Sequence, residues 1–455
     1  MDLREKYDTF IYDSYLIKET ASEIEIEYIY KINEYEFKPK VTIDKKNITN
    51  KNIDNSFFEY LVFNFGIINA ISYYKLTCSP KMVINCGHLD EEQKSFFKKL
   101  FYNGLGEMMY VNKLDIEFDE FLEIETNDKQ YDFKIQDDFE GNLIPVGGGK
   151  DSIVTLELLE SEHNINSCFL YKRNIYPTDL ASLNTIYTAG YTDSDIISFN
   201  VTLDPLMLQL NKEGFYNGHI PFSSCLAFAA YMMAYLNNKK YVVLSNEASA
   251  NEGNVAGTEI NHQYSKSFEF ENDFRNYTDK YFTPHIQYFS LLRCWNEFQI
   301  VKEFVKHPKY FDVFRSCNRG TKTNSWCADC SKCLYVYIML YTFLSKEQLV
   351  DIFGKDMLDE ESYKDILVGL ISDNHDKPFE CVGTKEEISY ALSLGIAKNE
   401  QLPALLEFYK NNFYDENRIY AVENYFNDAH LINEKFLNMM GYDLNEEQNY
   451  KLFRK

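Results

Sequence analysis

The stretch "IPVGGGKDSIVTLELLE", Ile144 to Glu160, sets the fold of the central part of the chain. A short apolar run precedes a loop of three glycines. The run that follows carries apolar residues at helical spacing, at Ile153, Leu156 and Leu159. A glycine loop between a strand and a helix presents consecutive backbone N–H groups at the positive end of the helix. The stretch therefore predicts a phosphate-binding loop.

Two common phosphate loops do not fit this stretch. A Walker A loop needs G-x-x-x-x-G-K-[ST], but Ile144 stands where the first glycine belongs and Asp151 replaces the Ser or Thr. A dinucleotide fingerprint needs G-x-G-x-x-G, and here Gly147 and Gly149 are followed by Ser152 at the third position. A carboxylate inside the loop also repels a pyrophosphate that lacks a metal ion.

The loop resembles the S-G-G-x-D-S loop of ATP pyrophosphatases, with Gly147 in place of the first serine. Enzymes with this loop cleave ATP between the α- and β-phosphates and adenylate a substrate oxygen. The resemblance implies that Gly147, Gly148, Gly149 and Ser152 cradle pyrophosphate, that Asp151 holds Mg²⁺, and that Lys150 reaches a phosphate. A glycine-rich turn without a ligand is the alternative.

Strands alternate with helices on both sides of the loop, which predicts a parallel sheet covered on both faces. Strands are predicted at 143–146, 167–171, 195–201 and 240–246, and helices near 178–189 and 221–236. We expect a Rossmann-like ATP-pyrophosphatase domain over 141–345, with ligands beyond the carboxyl ends of its strands.

Polar residues follow the strand at 240–246, so they share the rim of the glycine loop. The segment "SNEASANEGN" is predicted to bind substrate or metal through Ser245, Asn246, Glu247, Asn251, Glu252 and Asn254. A solvated turn is the alternative. Nearby, "NHQYSKS" offers His262 and Lys266 as candidates for proton transfer, and "NGHIP" offers His219 for substrate binding.

Four cysteines form the pattern C-x9-C-x2-C-x2-C: Cys317, Cys327, Cys330 and Cys333. Thiolates at this spacing suit a tetrahedral structural Zn²⁺. Free cysteines or a redox pair are the alternatives. The pattern resembles the zinc cluster of the 7-cyano-7-deazaguanine synthases, which also carry a pyrophosphatase loop.

The flanking regions carry weaker signals. Residues 1–140 predict an α+β domain, with strands at 22–32 and 81–86 and helices at 57–76 and 90–105. The polar stretch "QDDFEGN" marks the predicted boundary. Residues 346–455 predict a helical lid or packing appendage, in which Thr384 and Glu387 form a capping box.

Composition narrows the class of partner. The chain has 455 residues and a formal net charge of −24, so its overall field repels nucleic acid and favours a small-molecule substrate. No secretory h-region opens the chain, and the apolar runs at 225–236 and 334–344 are too short to span a bilayer. These features predict a cytoplasmic protein without a membrane partner, and they leave the oligomeric state open.

Seven segments together carry a specific resemblance: "IPVGGGKDS", "NGHIP", "SNEASANEGN", "NHQYSKS", "WCADCSKC", "SYYKLTCSP" (72–80) and "GLGEMMYVN" (104–112). Over about residues 55–345 the chain resembles the UDP-N-acetyl-alpha-D-muramoyl-L-alanyl-L-glutamate epimerase family. The resemblance implies an isomerase of bacterial peptidoglycan synthesis. It would use ATP and Mg²⁺ to convert the terminal L-Glu of UDP-MurNAc-L-Ala-L-Glu to D-Glu, releasing AMP and diphosphate.

Other classes of function remain open at this stage. An amide- or nitrile-forming enzyme similar to the deazaguanine synthases would use the same loop with ammonia. A tRNA-thiolating enzyme would need a basic face, and a nucleotide sensor would bind ATP without turnover. The epimerase needs local cations for the UDP diphosphate, and the sequence offers Lys172, Arg173, Arg293 and Arg315.

Overall fold

The computed structural model describes residues 2–174, 180–251, 261, 263–372, 374, 375 and 377–442, without the side chains of residues 251, 321 and 322. The strands are β1 Thr9–Glu19, β2 Glu23–Ile32, β3 Tyr35–Phe37, β4 Lys40–Asp44, β5 Lys81–Ile84, β6 Glu123–Thr126, β7 Asn142–Pro145, β8 Asn166–Arg173, β9 Ile196–Thr202, β10 Tyr241–Leu244 and β11 Gln287–Ser290.

The helices are α1 Leu3–Lys6, α2 Asn55–Tyr74, α3 Glu91–Gly104, α4 Gly106–Val111, α5 Phe118–Phe121, α6 Lys150–Leu158, α7 Leu180–Thr188, α8 Leu206–Lys212, α9 Phe222–Leu236, α10 Phe268–Tyr281, α11 Glu297–Phe304, α12 Ser331–Tyr341, α13 Lys346–Phe353, α14 Lys364–Ile371, α15 Lys385–Lys398, α16 Ala404–Asn412 and α17 Glu434–Met439. Within the described ranges, no helix is long and apolar enough to cross a membrane.

All strands belong to one mixed sheet of order β11-β10-β7-β8-β9-β4-β2-β1-β5-β6, with β3 paired to β2. The part from β11 to β9 is parallel throughout, as the alternation of strands and helices predicts. The sheet has a hydrophobic core on each face. Leu143 of β7 and Val242 of β10 pack into one core, and the next residues, Ile144 and Val243, pack into the other. Both faces are therefore covered, and the fold is mixed α/β. The specific arrangement of an ATP pyrophosphatase stays a prediction.

The N-terminal strands extend the same sheet, an arrangement that local sequence patterns do not predict. β4 pairs antiparallel with β9, placing Val41 opposite Val201. This pairing covers the edge of β9, whose backbone groups would otherwise be unpaired. The backbone N–H groups of Thr49 and Asn50 also donate to the carbonyl of Leu236 at the end of α9, at 3.2 and 3.0 Å. The predicted boundary near residue 140 thus falls within a continuous sheet, and the division into domains stays a prediction.

The strongly patterned elements form where the sequence predicts them. Helix α2 begins after Asp54, whose side chain accepts from the N–H of Phe57 at 2.9 Å, and its last three turns are entirely buried. Strands β1, β3, β4, β6 and β11 were not predicted. The region after residue 346 is helical, and the capping box of Thr384 and Glu387 is confirmed at the start of α15. These helices pack with α11 and α12 in the second core.

Candidate active site

The crevice of the parallel sheet lies between β7 and β10. From β7 the chain continues to β8 and β9 on one side, and later to β10 and β11 on the other. Ligands of doubly wound sheets bind at such a switch point, beyond the carboxyl ends of the strands. The glycine loop follows β7, and Ser245 follows β10. Thr155 on α6 donates to the Ser245 hydroxyl at 2.8 Å, so the two segments share one rim, as predicted.

The glycine loop turns sharply into α6. Gly148 has φ +78°, a conformation that favours glycine, and its carbonyl accepts from the N–H of Arg315 at 2.8 Å. Gly147 is exposed, with open space on the side where a Cβ would lie. Ser152 donates its hydroxyl to the carbonyl of Gly149 at 2.9 Å. The first N–H groups of α6 have no intrahelical partners and are available to an anion.

We expect Gly148→Ala to destabilise the protein by about 2–4 kcal/mol, since it combines a left-handed conformation with overpacking. A Cβ there would lie 2.7 Å from the backbone carbon of Ala181 and the backbone nitrogen of Ser182. Gly147→Ala is the matched control, because its Cβ meets nothing within 4 Å. The melting temperatures of the two variants, measured by thermal unfolding, check this prediction. Equal melting temperatures would contradict the close contact at residue 148.

The Lys150 ammonium lies beneath the loop, held by two carboxylates. The side chain is 2% exposed, and its Nζ donates to Asp151 Oδ1 at 2.5 Å and to Glu297 Oε2 at the start of α11. Burial disfavours the charged form, but Asp151 and Glu297 outweigh it and raise the pKa of Lys150. A direct contact between Lys150 and a phosphate would require the ammonium to leave both carboxylates.

Asp151 is the carboxylate of this cluster that reaches the crevice, since its side chain is 29% exposed. Burial raises its pKa, but Lys150 and then Lys332 outweigh that effect and hold the pKa below the ordinary value. Burial raises the pKa of Glu247, and the negative charge of Asp151 raises it further. An accessible, ionised carboxylate in the first turn of α6 therefore faces the rim, beside the acidic side chain of Glu247.

A second polar group lies where the segments "SYYKLTCSP", "GLGEMMYVN" and "NGHIP" meet. Lys75 Nζ donates to Asn217 Oδ1 and to the carbonyl of Gly218, both at 2.9 Å. Burial, with the nearby charge of Arg173, lowers the pKa of Lys75 to about 8. The ring of His219, 3.2 Å from Glu107 through Nδ1, has its pKa raised by that carboxylate.

Among the cations predicted for the substrate's diphosphate, Arg173 is the best placed. Its guanidinium stacks on the ring of Phe222, 4.7 Å from the centroid, and its buried Nε has no hydrogen-bond partner among the described residues. Arg293 is fully buried and pairs with Glu271 at 2.8 Å.

Arg315 donates to the main-chain carbonyls of Asp312, Phe314 and Asn324. Lys172 is half-buried at the end of β8. Arg293 and Arg315 therefore hold the main chain around the site. Arg173 is the best placed of the four predicted cations, and Lys75, which was not among them, is a further candidate.

The four cysteines are brought together as the spacing predicts. All their Sγ atoms lie within 4.8 Å of one another. Cys317 and Cys330 are 3.9 Å apart, Cys327 and Cys333 3.6 Å, and Cys330 and Cys333 3.5 Å. Tetrahedral Zn²⁺ with Zn–S bonds of about 2.3 Å would place sulfurs about 3.8 Å apart. The cluster fits a structural metal ion of this kind.

The segments that flank the four-cysteine cluster contact the glycine loop. Arg315, two residues before the cluster, holds the carbonyl of Gly148. The Cβ of Ser316 lies 3.3 Å from the Cβ position of Gly149. Lys332 lies within the cysteine motif and is 6% exposed. A metal ion at the cluster would therefore fix two segments that touch the site.

The sequence did not indicate a role for six residues of the site: Lys75, Glu107, Glu297, Lys332, Cys381 and Glu387. Glu387 accepts from the N–H of Glu297 at 2.6 Å and from the Ser249 hydroxyl at 2.8 Å, so a C-terminal residue caps α11. The position of Lys332 inside the cysteine motif was a signal that went unused. Cys381 carries no local signal, and the capping box at Glu387 indicates a helix start and not a site, because only tertiary packing brings both residues to the rim.

The other predicted residues are distributed as follows. The backbone carbonyl of Glu247 accepts from Arg293, and Asn246 donates to the Ser290 hydroxyl at 3.0 Å. Lys266 lies near the lysine–carboxylate cluster, and its Nζ contacts the Sγ atom of Cys381. Predictions for Glu252, Asn254, His262 and the side chain of Asn251 fall outside the described residues.

The molecule is a mixed α/β protein built on one large, mostly parallel sheet. Its candidate site combines a glycine loop at the switch point, a buried lysine–carboxylate cluster and four cysteines that lie close together. The chain belongs to the MurL family. The MurL N-terminal domain model matches residues 1–291, and the MurL C-terminal domain model matches residues 313–411. The first match crosses residue 140 without interruption, in keeping with the continuous sheet.

Three curated relatives carry the name UDP-N-acetyl-alpha-D-muramoyl-L-alanyl-L-glutamate epimerase. The protein of Xanthomonas oryzae pv. oryzae is 30% identical, over 73% of this chain and 74% of its own. That of Micromonospora sp. is 34% identical over 74% of each chain, and that of Salinispora tropica is 33% identical over 72% and 71%. No solved structure matches the chain significantly.

Proposed function

We propose that this chain is an ATP- and Mg²⁺-dependent epimerase of bacterial peptidoglycan synthesis. It inverts the terminal L-Glu of UDP-MurNAc-L-Ala-L-Glu to D-Glu through an acyl-adenylate, and it releases AMP and diphosphate. The observation that carries the proposal is the glycine loop at the switch point, with the accessible carboxylate of Asp151 in the first turn of α6. The names of the three relatives supply the substrate.

Adenylation explains why an epimerase would use ATP. The α-proton of a free carboxylate is hard to remove, because the carbanion would form beside a negative charge. Adenylation removes that charge, and the acyl oxygen then accepts the electron pair as an enolate. Reprotonation on the opposite face inverts the centre, and water releases AMP.

The residues of the loop suit this role. Mg²⁺ binds to proteins through one or two carboxylates together with substrate phosphates, which fits a single exposed Asp151. Asp151 would hold the ion, which when bound would supply charge neutralisation for the departing diphosphate, and the N–H groups at the start of α6 would bind the diphosphate oxygens. Lys150, fixed between Asp151 and Glu297, orients the Asp151 carboxylate. Gly147 leaves room for a phosphate to approach the backbone.

The UDP end of the substrate is assigned to Lys75 and Arg173. We expect Arg173→Ala to raise the KM for the UDP-dipeptide about 10- to 100-fold, the effect of losing a charge-assisted contact of about 1.5–3 kcal/mol. The KM for ATP should not change. Arg418→Ala is the matched control, since Arg418 also stacks on an aromatic ring, 5.0 Å from the ring centroid of Tyr420, but is exposed in the C-terminal region. Equal KM values in both variants would contradict the assignment.

The cysteine cluster is assigned to a structural Zn²⁺, supported by its sulfur–sulfur distances. The ion supplies no step of the reaction. The predicted cytoplasmic location and the small-molecule substrate belong to the same proposal.

One incubation tests the proposed function. The protein is mixed with ATP, Mg²⁺ and UDP-MurNAc-L-Ala-L-Glu in D₂O, and the products are analysed for D-Glu, deuterium at Cα, AMP and diphosphate. We expect all four. AMP that forms only with ammonia and without Cα deuterium would favour the amide-forming alternative. Binding of ATP without turnover would favour a nucleotide sensor.

A further inference from the structure

Cys381 reaches the crevice from the C-terminal region, in the segment that precedes α15. Its Sγ lies 3.1 Å from Lys266 Nζ. Its main-chain carbonyl accepts from the ammonium of Lys332. Lys266 therefore contacts the half-buried thiol and Lys332 holds its main chain, and both lysines come from distant parts of the chain.

The charges around Cys381 favour its thiolate. Burial raises the pKa of the thiol, but Lys266 and Lys332 outweigh burial and hold the pKa below the ordinary value. The neighbouring Glu380 opposes them, and the negative charge of Cys381 in turn raises the pKa of His219. The pKa values of the other cysteines outside the four-cysteine cluster are raised, not lowered. Burial raises the pKa of Cys86, for example, to about 12.

Cys381 also lies between the two polar groups of the site. On one side, its segment leads to Glu387, which accepts from the N–H of Glu297, the carboxylate partner of Lys150. On the other side, the ring of Phe379 lies 6.2 Å from that of Tyr110 on α4, the helix that carries Glu107, the partner of His219. A substrate that spans the crevice, with its glutamyl carboxylate at the loop and its diphosphate at the cations, passes this thiol.

We propose that Cys381 is a catalytic acid–base residue that takes the Cα proton of the activated glutamyl group, with Lys266 and Lys332 as positioning residues. This inference rests on the proposed function. The thiolate electron pair forms an S–H bond as the Cα–H bond breaks, and the electrons of that bond pass to the acyl oxygen as an enolate. A solvent-exchangeable acid protonates the opposite face, and the thiol then loses its proton to solvent.

The first test separates adenylation from proton transfer. Adenylation is followed by exchange of labelled pyrophosphate into ATP, and proton transfer by deuterium uptake at Cα in D₂O. In Cys381→Ala we expect Cα exchange and epimerisation to fall by about 10²–10⁴-fold, while pyrophosphate exchange stays within about tenfold of wild type. Cys86→Ala is the matched control, since it also removes a half-buried cysteine outside the cluster.

The outcomes of this test are distinct. Wild-type Cα exchange retained in Cys381→Ala overturns the acid–base role. Equal loss of pyrophosphate exchange and Cα exchange also overturns it, because Cys381 would then support the site as a whole. Absence of pyrophosphate exchange in the wild type counts against the proposed function itself.

A second test needs no variant of Cys381. Iodoacetamide alkylation of Cys381 in the full-length protein is followed by peptide mass spectrometry between pH 6 and 9. We expect alkylation to be half-maximal below about 8.5, the ordinary cysteine value. Lys266→Met should shift the profile upward, because it removes the first cation beside the thiol. A profile at or above the ordinary value, or one that Lys266→Met leaves in place, overturns the thiolate assignment.

Discussion

Asp151→Asn is expected to lower ATP-dependent epimerisation and pyrophosphate–ATP exchange by about 10³-fold or more. Metal-assisted stabilisation of a departing diphosphate contributes several kcal/mol, and about 4 kcal/mol corresponds to a factor of 10³. The amide keeps the size of the side chain but loses the negative charge that would hold Mg²⁺. Circular dichroism and thermal unfolding should show a folded protein, because Lys150 keeps its contact with Glu297.

Asp365→Asn is the control for this experiment, since Asp365 is an exposed aspartate in the first turn of another helix, α14. It should retain wild-type activity. Full activity in Asp151→Asn would overturn the magnesium assignment. Loss of epimerisation with normal pyrophosphate exchange would move Asp151 from adenylation to a later step.

Cys330→Ser is expected to abolish metal binding at the four-cysteine cluster and to lower the stability of the protein strongly. Structural zinc contributes roughly 10–16 kcal/mol of apparent binding energy in small zinc-dependent folds. Even a fraction of that loss should lower the melting temperature by about 10 °C or more. The site should fail as well, because the segment that holds Gly148 through Arg315 lies beside the cluster.

Zinc content by elemental analysis, together with thermal unfolding, checks this prediction. We expect about one zinc per wild-type chain and a large loss in Cys330→Ser. Cys86→Ser serves as the control, as a half-buried cysteine outside the cluster. A wild-type protein without metal, or a variant that melts like wild type, would contradict a structural zinc.

The sequence by itself determined the local features. The glycine loop, the helix after it, and the alternating strands were predictable because hydrophobic period and turn chemistry act within a few residues. The capping box at Thr384 and the gathering of four cysteines were predictable for the same reason. The family was also predictable, since its motifs are short and contiguous.

Only the tertiary structure decided how distant segments combine. Pairing of β4 with β9 made one sheet of two regions that composition separates near residue 140. Tertiary packing places Glu297, Lys332 and Cys381 at the rim, although they come from segments far apart in sequence. Hydrogen bonds across a sheet and ion pairs across a buried crevice depend on packing in space, which local periodicity does not encode. For that reason the sequence predicted the phosphate loop, while the lysine–carboxylate–thiol cluster beside it became visible only in the folded chain.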